Sequence, residues 1–109
     1  MISKYPYKCL NVLGNKLRFE IITLLQKHPM SVQQICNQTK QEQSKISHSL
    51  SQLRHCNFVD YKKEGKERKY FIKSEIFSKN NNKPIFELVE EHAKKYCKWK
   101  IHENNILRQ

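Results

Sequence analysis

The chain has 109 residues, enough for one compact domain and too few for two ordinary ones, which excludes enzymes built from a cofactor lobe beside a substrate lobe. A hydrophobic fraction of 38% supports a small core, while two glycines and three prolines exclude collagen-like, linker-rich and many-turned all-β architectures. Lysine and arginine number 21 against 10 acids, and the resulting charge of +11 attracts polyanions, either nucleic acid or an anionic membrane surface. No apolar run approaches the roughly 20 residues of a spanning helix. The start, MISKYPYK, lacks the apolar stretch of a secretory signal, so a cytoplasmic location and no membrane partner are expected. Cys9, Cys36, Cys56 and Cys97 stand far apart with no C-x-x-C pair, which argues against a zinc finger and for free thiols in a reducing compartment.

In chain order, Leu10, Leu13, Leu17, Ile21, Leu24 and Leu25 recur at helical spacing, with Gly14-Asn15 breaking the run into two helices and Pro29 ending the second. Ser31 is a candidate N-cap, and Gln34 three residues on completes a capping box for a short helix with Val32, Ile35 and Cys36 on its apolar face. A polar turn over 37–41 leads to a second helix from about Glu42 to His55. Ile46, Leu50 and Leu53 share one face of that helix, and Gln43, Ser44, Lys45, Ser47, His48 and Ser51 form a polar face almost free of acid. After Asn57 the period drops to two, predicting strands over 58–63 and 68–72 joined through Glu64-Gly65-Lys66-Glu67. A polar connector, 78–84, precedes a last helix over 84–104. Pro84 suits its first turn, and Ile85, Leu88, Val89, His92, Tyr96 and Trp99 line one face.

The order helix, helix, short helix, turn, helix, hairpin, long helix reads as a single α+β, mostly helical domain over 1–109. It is a winged helix-turn-helix with a two-stranded wing and a long C-terminal dimerisation helix. A helix about 10–12 Å across fits the major groove of duplex DNA. On the helix at 42–55, Gln43 suits paired hydrogen bonds to adenine, Ser44, Ser47 and Ser51 suit bases or phosphates, and Lys45 and His48 add donors. Lys62, Lys63, Lys66, Arg68 and Lys69 place cations on the hairpin, where they suit phosphates or the minor groove. Solvation of the helix face and protection of an edge strand explain the same residues without DNA.

The stretch LGNKLRFEIITLL over Leu13–Leu25 resembles the opening of the arsenic-repressor (ArsR/SmtB) family of winged-helix regulators. MSVQQIC over Met30–Cys36 is similar to its "LSVxELA" helix, and QSKISHSLSQLR over Gln43–Arg54 to its recognition helix, "QSTVSHHLKxLR". Asn57-Phe-Val59 followed by Lys62 to Tyr70 resembles its wing, and Ser44-x-x-Ser47-His48 is the most specific part of the match. The resemblance implies a homodimer built on the first and last helices that binds a pseudo-palindromic operator in double-stranded DNA and represses transcription. Alternatives are an effector-independent DNA or chromatin binder and a winged helix that meets protein or RNA.

For the effector the resemblance mostly reports departures. Ser31 and Gln33 stand where the family's thiolate metal site has cysteines, and Thr23 stands where persulfide-sensing members have one. The family's zinc site pairs "Asp-x-His" with "His-x-x-Glu"; Glu90, His92, His102 and Glu103 supply suitable donors at a different spacing. The alternative is a histidine packed at a dimer seam amid solvated charges, with no cofactor. Cys9 and Cys97 fall on the two helices the family uses for dimerisation and are candidates for a disulfide or shared metal, against Tyr96 and Trp99 as plain dimer-core aromatics. No glycine-rich phosphate loop, nucleophile elbow or converging acid-base pair is present, so no enzymatic activity is expected.

Overall fold

The computed structural model describes residues 6–78 and 82–96. Helices α1 (Pro6–Leu13) and α2 (Lys16–Leu25) lead into a two-residue strand β1 (Met30–Ser31), then α3 (Val32–Thr39) and α4 (Gln43–His55). The hairpin β2 (Val59–Glu64) and β3 (Glu67–Ile72) follows, then a 3-10 turn at Glu75–Phe77 and helix α5 (Ile85–Tyr96). This is a winged helix-turn-helix. The wing has two strands, but the antiparallel sheet has three in the order β1-β3-β2.

Local chemistry explains each boundary. Asn15 caps α2 by accepting the Arg18 N–H at 3.1 Å. Helix α2 stops at Leu25, short of Pro29, whose ring disfavours helix in the residue before it. Ser31 and Gln34 form the expected reciprocal capping box: the Ser31 hydroxyl accepts the Gln34 N–H at 3.2 Å and the Gln34 side chain accepts the Ser31 N–H at 2.9 Å. Helix α3 runs on to Thr39, further than its polar end suggests, and closes with Lys40 in the left-handed region at φ 61°. Helix α4 ends in a Schellman arrangement: Asn57, at φ 62°, donates to the Arg54 carbonyl at 2.9 Å, and Phe58 donates to the Leu53 carbonyl at 3.0 Å.

The core forms where these elements meet. Ile21 of α2, Ile35 of α3, Ile46, Leu50 and Leu53 of α4, Phe58 and Val59 of the wing, and Val89 of α5 are all sealed from solvent. Each such aliphatic or aromatic burial contributes roughly 1.5–3 kcal/mol. Arg18 ties three helices with one guanidinium, donating from Nε to the Val12 carbonyl at 2.5 Å and from Nη1 to Gln52 Oε1 at 2.6 Å. It thereby satisfies a carbonyl at the end of α1 that the helix itself leaves open.

The structure differs from the sequence expectation in register and detail. Helix α4, expected from about Glu42, begins at Gln43, with Glu42 as its N-cap. Glu64 pairs directly with Glu67, so the hairpin turn is only Gly65-Lys66, with Gly65 at φ 65°. Strand β1 was absent from the pattern; Met30 and Ser31 pair with Tyr70 and Lys69 of β3. The last helix is described from Ile85 to Tyr96, and the expected continuation to 104, with Trp99, lies outside the described residues.

Ser31 thus serves at once as a strand residue and as the N-cap of α3. Replacing it with alanine should lower unfolding stability by about 1 kcal/mol, measurable as a reduced denaturant midpoint with an unchanged slope.

Candidate nucleic-acid interface

Burial of Ile46, Ser49, Leu50 and Leu53 fixes which way α4 faces. At about 100° per residue, the side opposite this stripe carries Ser44, His48, Ser51 and His55, all exposed. Gln43, Ser47 and Arg54 flank it toward the wing, where they line a groove of 690 Å³ together with Tyr61, Lys66 and Arg68. Lys45 and His48 flank it toward α2 and line a second, smaller groove with Lys16 and Gln52. The sequence-predicted helix residues therefore do not form one cluster: Gln43, Ser47 and Ser51 face the wing, Lys45 and His48 face α2, and Ser44 stands between.

The strand register divides the wing cations in the same manner. Lys63 pairs with Arg68 and Tyr61 with Tyr70, so these side chains share the face turned to α4. Lys62 pairs with Lys69 on the opposite face, and Lys66 occupies the turn. Four of the five wing cations are exposed and Lys69 is half-buried.

Sequence reasoning missed Gln33, Arg54, Tyr61 and Lys73, all of which line the wing-side groove. Arg54 was within reach, since it stands seven residues after Ser47 on the same helix face. Its guanidinium lies 2.9 Å from Asp60 Oδ1, and Asp60 also accepts the Tyr61 N–H at 2.8 Å. The Arg54 hydrogen bond, then that backbone N–H, hold the Asp60 carboxyl below its ordinary range; the same contact raises Arg54. One of the two acids in the groove is thereby neutralised locally, which leaves the surface more favourable to an anion.

The candidate effector residues fall elsewhere. His92 is 4% exposed, stacked on Phe58 at 4.4 Å between ring centroids. Its Nε2 lies 2.8 Å from the Cys56 carbonyl oxygen, which can only accept, so Nε2 carries a proton. In the neutral ring Nδ1 then accepts from the Ser74 hydroxyl at 2.7 Å, while Ser74 Oγ accepts the Ile76 N–H at 3.3 Å. Both ring nitrogens that would serve a metal are thus engaged within the chain, joining α5 to the end of α4 and to the segment after β3. Glu90 is half-buried on the same helix, and among the described residues no group of three His, Cys, Asp or Glu is placed to hold a metal ion. His102, Glu103 and Cys97 lie outside the described residues, and Cys9 is 1% exposed in the core.

Residues 15–61 match the model of the bacterial regulatory protein, arsR family. Over that segment, which spans the helix-turn-helix and the start of the wing, the chain is similar to the arsR family. The matched family is one of transcriptional regulators and not of enzymes. No curated protein sequence matches it. Among solved structures, the transcriptional regulator HlyU from Vibrio vulnificus CMCP6 is 26% identical, with 82% of this chain covering 84% of that one at a TM-score of 0.61. Two more distant structures share the fold. The transcriptional repressor BigR from Xylella fastidiosa is 20% identical over 84% of this chain and 82% of its own, at 0.58. The homodimeric winged helix-turn-helix DNA-binding domain Mb0332 from Mycobacterium bovis is 20% identical over 94% and 92%, at 0.57. No helix among the described residues is long and apolar enough to cross a membrane.

Replacing His92 with phenylalanine keeps the ring stack but strands the Cys56 carbonyl and the Ser74 hydroxyl. The fold should then lose about 1–3 kcal/mol, read as a lower denaturation midpoint in metal-free buffer.

Proposed function

We propose that this chain acts in the cytoplasm as a homodimer that reads duplex DNA and represses transcription from the promoter it occupies. In this reading α4 enters the major groove and the wing holds the flanking phosphates or minor groove. The observation that carries it is the outward face of α4: Ser44, Ser47, His48 and Ser51 are exposed with no acid among them, and Ser47 and Ser51 share one groove with Lys66 and Arg68 of the wing. Short polar side chains on a rigidly seated helix suit base edges, whereas long cations suit phosphates, so the two elements divide specificity from affinity. Helix α4 also opens at Glu42 without a side-chain cap, leaving its first N–H groups open to a phosphate oxygen.

Dimerisation through α1 and α5 is supported by the exposed apolar residues there. Tyr7 on α1 and Ile85 and Phe86 on α5 are 61%, 53% and 60% exposed, on two helices that pack against each other. Apolar exposure of this size on a small regulator suits a second copy. The Mb0332 domain is homodimeric and BigR is a repressor, which agrees with both parts of the proposal. A two-fold dimer would set its α4 helices on half-sites about one helical turn apart, some 34 Å.

Substitutions separate the two roles. Gln43→Ala or His48→Ala should cost preference for the operator while sparing binding to unrelated duplex. Lys66→Ala or Arg68→Ala should weaken binding to every duplex and lower the slope of log affinity against log salt by about one. Wing variants that left affinity and slope untouched would overturn the docking.

A further inference from the structure

We propose that Tyr61 is a positioning residue of the DNA interface, its ring gathering the guanidiniums of Arg54 and Arg68 so that Arg68 is set in place for the phosphate backbone. This inference rests on the docking proposed above. Arg54 comes from the last turn of α4 and Arg68 from β3, yet each guanidinium carbon lies 4.6 Å from the centroid of the Tyr61 ring. The register makes this possible, because Tyr61 faces Tyr70 and Arg68 is the diagonal neighbour on the same face of the hairpin. Tyr61 is itself anchored: its ring lies 5.2 Å from that of buried Tyr70, and its N–H is held by Asp60.

The two arginines have different remaining capacity. Arg54 is committed to Asp60 through Nε at 2.9 Å. Arg68, by contrast, forms no ion pair among the described residues. A guanidinium resting on an aromatic ring uses its face for that contact and keeps its in-plane N–H fork for a phosphate. Holding such a long side chain before DNA arrives also removes part of the ordering cost of binding. The ring thus couples the wing to the recognition helix, through Arg54, and prepares the wing's own cation, through Arg68.

The test is a double-mutant cycle, read as the affinity of the full chain for duplex DNA by fluorescence anisotropy. Tyr61→Phe keeps the ring face and should bind as the native chain does. Tyr61→Leu should weaken binding to specific and scrambled duplexes alike by about three- to five-fold. In an Arg68→Ala background the same leucine substitution should cost nothing more. Equal losses in both backgrounds, or a phenylalanine variant as weak as the leucine one, would overturn the positioning role. Should Tyr61→Leu fail to fold by circular dichroism, Tyr61→Val, whose branched side chain suits a strand, takes its place with the same expectation. If Arg68→Ala alone leaves affinity unchanged, the wing docking itself fails and the proposal falls with it, an outcome distinct from a failed cycle on a functional Arg68.

Discussion

Three apolar side chains on one helix, Ile46, Leu50 and Leu53, are sealed from solvent between α2, α3 and the wing. Their spacing of four and three residues leaves α4 one rotation about its axis that buries all of them. That rotation turns Ser44, His48 and Ser51 to solvent and sends Gln43 and Ser47 toward the hairpin. Phe58, stacked on His92 of α5 and bonded back to the Leu53 carbonyl at 3.0 Å, then sets where β2 leaves the helix. The proposed interface is in this sense the complement of the core: apolar packing decides which polar atoms face outward.

Charge is arranged by the same geometry. A two-residue turn at Gly65-Lys66 locks Lys63 opposite Arg68 and Lys62 opposite Lys69, so alternation sorts the wing cations to its two faces. Of the inner pair, Arg68 lines the groove beside α4, and the outer pair extends the positive surface away from it. Asp60 offsets none of this, because its carboxylate is spent on Arg54 and on the edge N–H of Tyr61. Covering that N–H also blunts β2, an edge strand of the sheet that would otherwise present it to another chain.

Much of this was legible in the sequence wherever the signal is local. The capping box at Ser31 and Gln34, the break at Gly14-Asn15 and the apolar stripe of α4 each depend on residues within one or two helical turns. What escaped depends on partners far apart in the chain. Strand β1 is only Met30–Ser31, too short to show alternation, and exists because β3 lies beside it. Tyr61 gains its role from residues seven positions away on either side, Arg54 and Arg68, which only the hairpin register brings together. His92 looked like a metal ligand or a seam residue because its i−2 acid and apolar neighbours suit either. Its actual partners, Ser74 and the Cys56 carbonyl, are 18 and 36 residues distant and one of them is backbone, which no side-chain pattern announces.

The central claim is that the outward face of α4 reads base sequence while the surrounding cations supply affinity. It is tested most directly by the binding of the reduced, unmodified chain to duplex DNA from immediately upstream of its own gene and to a scrambled duplex of the same composition, across a salt series. The account predicts tight binding that favours the upstream duplex at near-physiological salt. Both affinities should fall steeply with salt, while their ratio stays above one. Equal, weak binding to the two duplexes that vanishes as salt rises would contradict it, reducing the charge of +11 to nonspecific attraction.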